Sequence, residues 1–205
     1  MKTSNIYLNE EDDDQEKETG KEDGHDNLLM QQFLKTRTIL LSGEINKQLA
    51  ERVIRQLLLM EDQSDEPIKV FIDSPGGDAD AGYAIFDMIR FIKPKVYAIG
   101  MGLVASAAAI ILLASPKDLR LGLPNSHYLI HQPLSGIRGV ATEIEIHARE
   151  LEKLRKKINE LIASETGQKF DKIEKDTDRD FWMDASAAME YGLVSRIIAK
   201  REELK

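Results

Sequence analysis

The sequence predicts an α/β domain built on a largely parallel sheet. Two observations carry this. Short apolar runs of strand length alternate along the chain with longer segments whose apolar residues recur at helical spacing. Glycines gather where a strand-like run passes into a helix-like one, at Gly76-Gly77 and at Gly100–Gly102. An open parallel sheet presents its function at such junctions, at the carboxyl ends of its strands.

The bulk numbers agree. With 205 residues, 42% hydrophobic and 31% charged, the chain can bury one full core and has the composition of an ordinary soluble globular protein. It has no cysteine, which excludes disulfides and thiolate metal sites and suits a cytoplasmic location. Residues 1–26 hold ten acids and three bases, so nearly all of the net charge of −8 lies there. The near-neutral remainder has no basic stripe and gives no support for nucleic-acid binding. No apolar stretch follows Met1-Lys2, so no signal peptide is expected. The longest apolar stretch, Ala98–Ala114, falls short of the roughly 20 residues that span a bilayer and is broken by Gly100 and Gly102. No membrane association is expected.

Taken in order, residues 1–26 read as a solvated acidic tail, too polar to offset the entropy of ordering, ahead of a domain over 27–205. Asn27–Lys35 has helical character through Leu28, Leu29, Phe33 and Leu34. Thr38–Ser42 is a short strand ending at Gly43. Leu49, Val53, Leu57 and Met60 place a helix over Lys47–Met60. Ile68–Ile72 is a strand and Gly76-Gly77 a turn. Ala79–Phe91 is a helix with Ala84, Ile85, Met88 and Phe91 as its apolar stripe. Lys95–Ile99 is a strand, Gly100–Gly102 a turn and Val104–Ala114 a helix. Arg120–Gly122 and Tyr128–Ile130 are short strands. Ala141–Glu165 is a long charged helix with Ile144, Leu151, Leu154, Ile158, Leu161 and Ile162 along one side. Phe170–Lys175 is a short helix and Met183 begins a turn. Ala185–Tyr191 is helical up to its Gly192 stop, and Leu193–Ala199 is the last strand.

The chemistry is expected at the two glycine junctions. Ser106 falls in the first turn of the helix predicted from Val104. Free N–H groups and the positive dipole end favour developing negative charge there, as a nucleophile making an oxyanion needs. A serine among alanines also serves close packing, and the G-x-S-x-G elbow of many hydrolases is absent. Gly76-Gly77 is either a tight turn or a backbone amide aimed at an anion. A serine nucleophile needs a base, and the base an orienting group. Of four histidines, His25 lies in the tail, His147 in the long helix and His127 ahead of a strand. His131 directly follows Tyr128–Ile130 and precedes Gln132-Pro133, a stiff place to hold an imidazole, although a structural histidine fits there as well. The orienting acid stays open among Asp176, Asp178, Asp180 and Asp184.

The runs FIDSPGGDADAG, GMGLVASAAA, PNSHYLIHQPLSG, HARE, DTDRDFWM and YGLV, in that order and spacing, resemble the ClpP peptidase family from about Phe33 to Ala199. The resemblance implies a crotonase-like α/β head with a projecting handle over about 132–165. It implies Ser106 as nucleophile, His131 as general base and Asp180 as orienting carboxylate, with the Gly77 and Ala107 amides as oxyanion hole. It also implies heptamer rings stacked into a tetradecamer, with Asp178 and Arg179 coupling ring contact to the triad. An AAA+ unfoldase of ClpX, ClpA or ClpC type would use ATP and feed unfolded polypeptide to the chamber, docking near Phe71, Phe91 and Lys69. The peptidase itself would need no metal or cofactor.

Several positions depart from the family pattern. Ala107 replaces methionine after the serine, which gives the substrate pocket more room, and Ala108 replaces glycine. Asp73 replaces asparagine. Val140 stands where the handle usually has glutamine, and Lys69 where docking usually has an aromatic residue. The acidic tail replaces an apolar anchor and would either gate the pore or be removed by processing. These departures raise a second reading, a specialised or structural paralogue within a mixed particle. The fold also hosts acyl-CoA hydratases and isomerases, but a serine–histidine pair would be idle there.

Overall fold

The computed structural model describes residues 32–204, which divide after Thr36 into two units. In the first, residues 32–35 are helical and the Thr36 hydroxyl donates to the Phe33 carbonyl at 3.0 Å. The second carries the α/β architecture that the sequence predicts. The acidic tail, and the part of the first predicted helix holding Leu28 and Leu29, lie outside the described residues.

Five elements build the first half: β1 (Thr38–Ser42), α1 (Lys47–Gln63), β2 (Ile68–Ser74), α2 (Ala79–Phe91) and β3 (Val96–Ala105). On β2, Ile68, Val70 and Ile72 are buried while Lys69 and Phe71 are half-buried, the period-two pattern of a strand with one face fully covered. Helix α1 buries Leu49, Val53, Leu57 and Met60 as its spacing predicts, and Asn46 Oδ1 caps it by accepting the Leu49 N–H at 2.9 Å. Asp78 does the same for α2, accepting from Ala81 N–H at 2.7 Å.

The stripe predicted for α2 is displaced. Ile85 is buried, but Ala84 is exposed and Phe91 is 77% exposed, while Ala81, Gly82, Tyr83, Phe86 and Ile89 face inward. The small Ala81–Gly82 pair decides this. A Cβ on Gly82 would lie 3.2 Å from the Ala107 Cβ, so the helix turns its smallest side toward the next element.

A second correction concerns β3. The turn predicted at Gly100–Gly102 is a bend inside an unbroken strand, and the helix expected from Val104 is the shorter α3 (Ala107–Leu112). Gly102 takes φ +53°, and Asp73 Oδ1 accepts the Leu103 N–H at 3.0 Å where the β2–β3 register shifts between Ile72 and Ser74. The bend changes the strand's partner. Residues Ala98–Gly100 pair with β4 (Arg120–Gly122), whereas Leu103–Ala105 pair with β5 (His127–Ile130), both in parallel. A strand that stopped at Ile99 would leave the next residues too far from β5 to build a site.

The second half adds α4 (Ala141–Thr166), α5 (Phe170–Asp176), β6 (Phe181–Asp184), α6 (Ala185–Tyr191) and β7 (Arg196–Ile197). Among the described residues the sheet has seven strands in the order β1-β2-β3-β4-β7, with β5 branching from β3 and β6 antiparallel to β5. The turn expected at Met183 is therefore the third residue of a strand. The final strand is shorter than Leu193–Ala199 because Leu193 and Val194 close the end of α6: both N–H groups reach back to the Ala188 carbonyl around Gly192, which takes φ +95°. No helix among the described residues is long and apolar enough to cross a membrane.

Helix α4 packs only by its C-terminal part. Ile158, Asn159, Ile162 and Thr166 are buried, whereas Ile144 and Ile146 are 43% and 54% exposed. Val140 offers no capping oxygen, but Glu143 Oε2 reaches back to the Val140 N–H at 3.4 Å. The other end is fastened by charge. Arg120 is 1% exposed, donates to the Ser115 carbonyl at 2.6 Å and pairs with Glu165, which also accepts from Arg90 at 2.5 Å. Burial alone would raise the Glu165 carboxyl, but hydrogen bonds from the two arginines overcome it and hold its pKa below the usual range. A depressed folded-state pKa means that this stability is present above the ordinary glutamate value and is lost as pH falls through the lowered one. Glu165→Ala is expected to cost about 3 kcal/mol, because it strands a buried guanidinium. Denaturant unfolding read by Trp182 fluorescence measures this; an unchanged midpoint would refute the anchor.

Candidate active site

The β3–β5 register brings the reactive groups together. Ala105 pairs with Leu129, and the next residue, Ser106, donates its N–H to the Leu129 carbonyl at 2.9 Å. The sequence predicts Ser106 inside the helix, but it stands at the position just before it, with no side-chain capping bond and with φ +56° and ψ −120°. That conformation is costly for a residue with a side chain, on the order of 1–3 kcal/mol. Among the described residues only Arg37 and Ser106 have positive φ without being glycine. The strand-to-helix elbow thus exists here without the G-x-S-x-G pattern.

The antiparallel β5–β6 register does the same for the partner groups. His127, Tyr128, Leu129 and Ile130 face Asp184, Met183, Trp182 and Phe181, so the next step sets His131 against Asp180. His131 Nδ1 lies 3.0 Å from Asp180 Oδ1. The histidine side chain is 17% exposed and the carboxylate 61%. Ser106 and His131 line one groove of about 820 Å³, yet no hydrogen bond joins them. Such contacts are commonly long before substrate is bound.

Gly76 and Gly77 press against this elbow. A Cβ on Gly76 would lie 2.7 Å from the Ser106 Cβ, and one on Gly77 2.2 Å from the Ile45 carbonyl oxygen. The loop is fixed by Ile45, which donates to the Gly76 carbonyl and accepts from the Asp78 N–H, both at 2.8 Å. The amides of Gly77 and Ala107 donate to no group among the described residues. Two unpaired donors beside a serine can stabilise an oxyanion. Ala107 lines the groove while packing against Gly82; Ile110, Leu154 and Ile158 give the groove an apolar wall.

Of the other histidines, His147 lines the same groove but pairs with the Ser135 hydroxyl at 2.7 Å, His127 is exposed at the start of β5, and His25 lies outside the described residues. Geometry also separates the four aspartates. Asp176 pairs with Lys172 at 2.6 Å and accepts from the Tyr191 hydroxyl at 2.7 Å, which helps push that phenol well above its ordinary range, after burial. Asp178 pairs with Arg155 of α4 at 3.3 Å, and Asp184 caps α6. Of the four, only Asp180 meets a histidine ring nitrogen. Arg179 is exposed and donates to the Asp178 carbonyl at 3.3 Å.

Lys69 and Phe71 share the less buried face of β2, with Phe71 packed beside Ile99, Leu121 and Ile198. Phe91 ends α2, whose following loop enters β3 at the end of the sheet away from Ser106. Sequence reasoning passed over Gln132, which bonds twice to the turn before Asp180. Its position next to His131 was the available signal.

The family model described as Clp protease matches residues 20–201. The chain is 63% identical over 199 residues to "ATP-dependent Clp protease proteolytic subunit 2" of Treponema denticola, covering 97% of this chain and 98% of the relative. It is 49% identical over 200 residues to "ATP-dependent Clp protease proteolytic subunit 3" of Rhizobium johnstonii, covering 96% and 100%. A solved ClpP1 mutant from Listeria monocytogenes superposes with a TM-score of 0.81 at 51% identity, covering 86% of this chain and 99% of that one.

Proposed function

The chain belongs to the Clp protease family, and from that premise we propose that it is the proteolytic subunit of an ATP-dependent Clp protease, a serine endopeptidase acting through Ser106, His131 and Asp180. The observation that carries the reading is the 3.0 Å His131–Asp180 pair opening onto the same groove as the strained Ser106.

The reaction follows from these groups. His131 takes the Ser106 proton as Oγ attacks a peptide carbonyl carbon, and the carbonyl oxygen becomes an oxyanion held by the Gly77 and Ala107 amides. Asp180 accepts the Nδ1–H, which fixes the tautomer that leaves Nε2 free and stabilises the imidazolium. The carbonyl re-forms, the C–N bond breaks, and His131 returns the proton to the leaving amine. Water, activated by His131, then hydrolyses the acyl-enzyme and restores Ser106. This sequence calls for no metal or cofactor; ATP belongs to the partner.

The substrate is unfolded polypeptide, and the site works inside a chamber of two heptamer rings. The exposed Ile144 and Ile146 on the projecting half of α4 support a subunit whose handle is covered by another copy. Exposed Phe91 supports unfoldase docking with Phe71 and Lys69. A fluorophosphonate probe tests the centre: labelling of the unaltered protein that disappears in Ser106→Ala is expected. Absence of labelling on assembled particles would leave a scaffold subunit instead.

A mixed particle is the second reading. Relatives named subunit 2 and subunit 3 favour it, as does Val140 at the start of the handle. Purification of the chain alone decides: a tetradecamer with full peptidase activity excludes the need for a second subunit.

A further inference from the structure

The contact between His131 and Asp180 joins two separate elements just beyond the last paired residues of β5 and β6. Asp180 is 61% exposed and, among the described residues, has no side-chain partner but His131. Its carboxylate therefore takes its place from the backbone that delivers it. That backbone is a four-residue turn, Thr177 to Asp180, between α5 and β6. Such a turn needs its own ties if an exposed carboxylate is to stay within hydrogen-bond reach of a ring nitrogen.

Gln132 supplies two of them. Its N–H donates to the Thr177 carbonyl at 2.7 Å, and its side-chain Nε2 donates to the Asp178 carbonyl at 2.6 Å. The residue that follows the base thus grips the chain two and three positions before the acid. Two further contacts make the turn rigid enough for that grip to matter. The buried Thr177 hydroxyl lies 2.8 Å from the Ile173 carbonyl and 2.9 Å from Asn159 Oδ1. Arg155 holds the Asp178 carboxylate at 3.3 Å.

We propose that Gln132 is a positioning residue that fixes the Asp180 carboxylate against His131 Nδ1. This rests on the reading of Ser106, His131 and Asp180 as the working triad. The role needs a donor at that reach. Methionine has the length without the donor, and glutamate has the shape but turns an acceptor toward the Asp178 carbonyl. The side-chain bond lies at the surface, where water can satisfy the Asp178 carbonyl left behind, and the backbone bond to Thr177 survives the substitution. The loss therefore falls on geometry rather than on folding.

The test is a double-mutant cycle on the assembled full chain with a fluorogenic peptide. Gln132→Met is expected to lower kcat about tenfold with KM changed by less than about twofold. In an Asp180→Ala background the same change is expected to do nothing more, because no carboxylate remains to be positioned. A merely structural residue would multiply the two losses. If Gln132→Met does not assemble, Gln132→Glu is measured in its place with the same expected result. A kcat within about twofold of the unaltered chain, or multiplied losses in the double variant, overturns the assignment. Ser106→Ala, assayed alongside, separates the causes. Full activity in that variant overturns the triad and this role together, whereas an inactive Ser106→Ala beside an unimpaired Gln132→Met overturns the Gln132 role alone.

Discussion

Ser106→Ala is expected to lower peptide hydrolysis by about 10⁵- to 10⁶-fold while leaving the particle assembled. The loss is that large because in the proposed triad the serine, the imidazole and the carboxylate act as one unit. With Oγ gone, His131 has no proton to take and no acyl-enzyme forms. The loss is not total, since in the proposed site the unpaired amides of Gly77 and Ala107 still hold a carbonyl oxygen. Such donors and substrate binding alone retain about 10³-fold catalysis over water. The measurement is kcat for a fluorogenic peptide, with assembly checked by sedimentation. Residual activity above about a thousandth of the unaltered rate would mean that another group is the nucleophile.

The backbone adds a second arm to the same experiment. Ser106 holds φ +56° and ψ −120°, where any Cβ is strained. Ser106→Gly is expected to be as inactive as Ser106→Ala but more stable than it by about 1 kcal/mol, because glycine adopts that conformation without penalty. Equal stability of the two variants would show that the elbow is not strained. A gain in stability of glycine over alanine at this position is the expected sign of a backbone conformation that folding alone does not favour.

Much of the scaffold is legible because its periodicities are clean. Leu49, Val53, Leu57 and Met60 announce α1, and Ile68, Val70 and Ile72 announce β2. The elbow is not legible, for a physical reason. From Val104 to Ala114 nearly every residue is apolar or small and buried, so no face distinguishes strand from helix. The boundary is set by Asp73, some thirty residues earlier, which takes the Leu103 N–H and lets β3 run on to Ala105. Local glycine counting reads the same bend as a turn.

The site divides similarly. His131 is legible as a histidine locked between a strand end and Gln132-Pro133. The choice of Asp180 among four aspartates is not, because it depends on an antiparallel register between strands about fifty residues apart. In the sequence, only the resemblance to a family singles it out. Gln132 escapes both routes, since it works through backbone carbonyls whose positions no pattern of residue types encodes.

Asp180→Asn is expected to lower kcat by about 10³- to 10⁴-fold, and Asp180→Ala by distinctly less. The order is unusual, since alanine removes more of the side chain, and it follows from exposure. Asp180 is 61% exposed and meets His131 Nδ1 at 3.0 Å by one oxygen. Deleting the carboxylate lets water reach Nδ1 and accept its proton, so the imidazole can keep Nε2 free for Ser106. Asparagine instead fills the space and can present its N–H₂ to Nδ1. The ring proton is then driven to Nε2, the nitrogen that must receive the Ser106 proton, and the base is disabled rather than merely loosened. Steady-state kcat for the two variants, with KM as the control for groove binding, decides the matter. If asparagine were as active as alanine or more so, Asp180 would be acting only by its charge, and the tautomer would be set by something else.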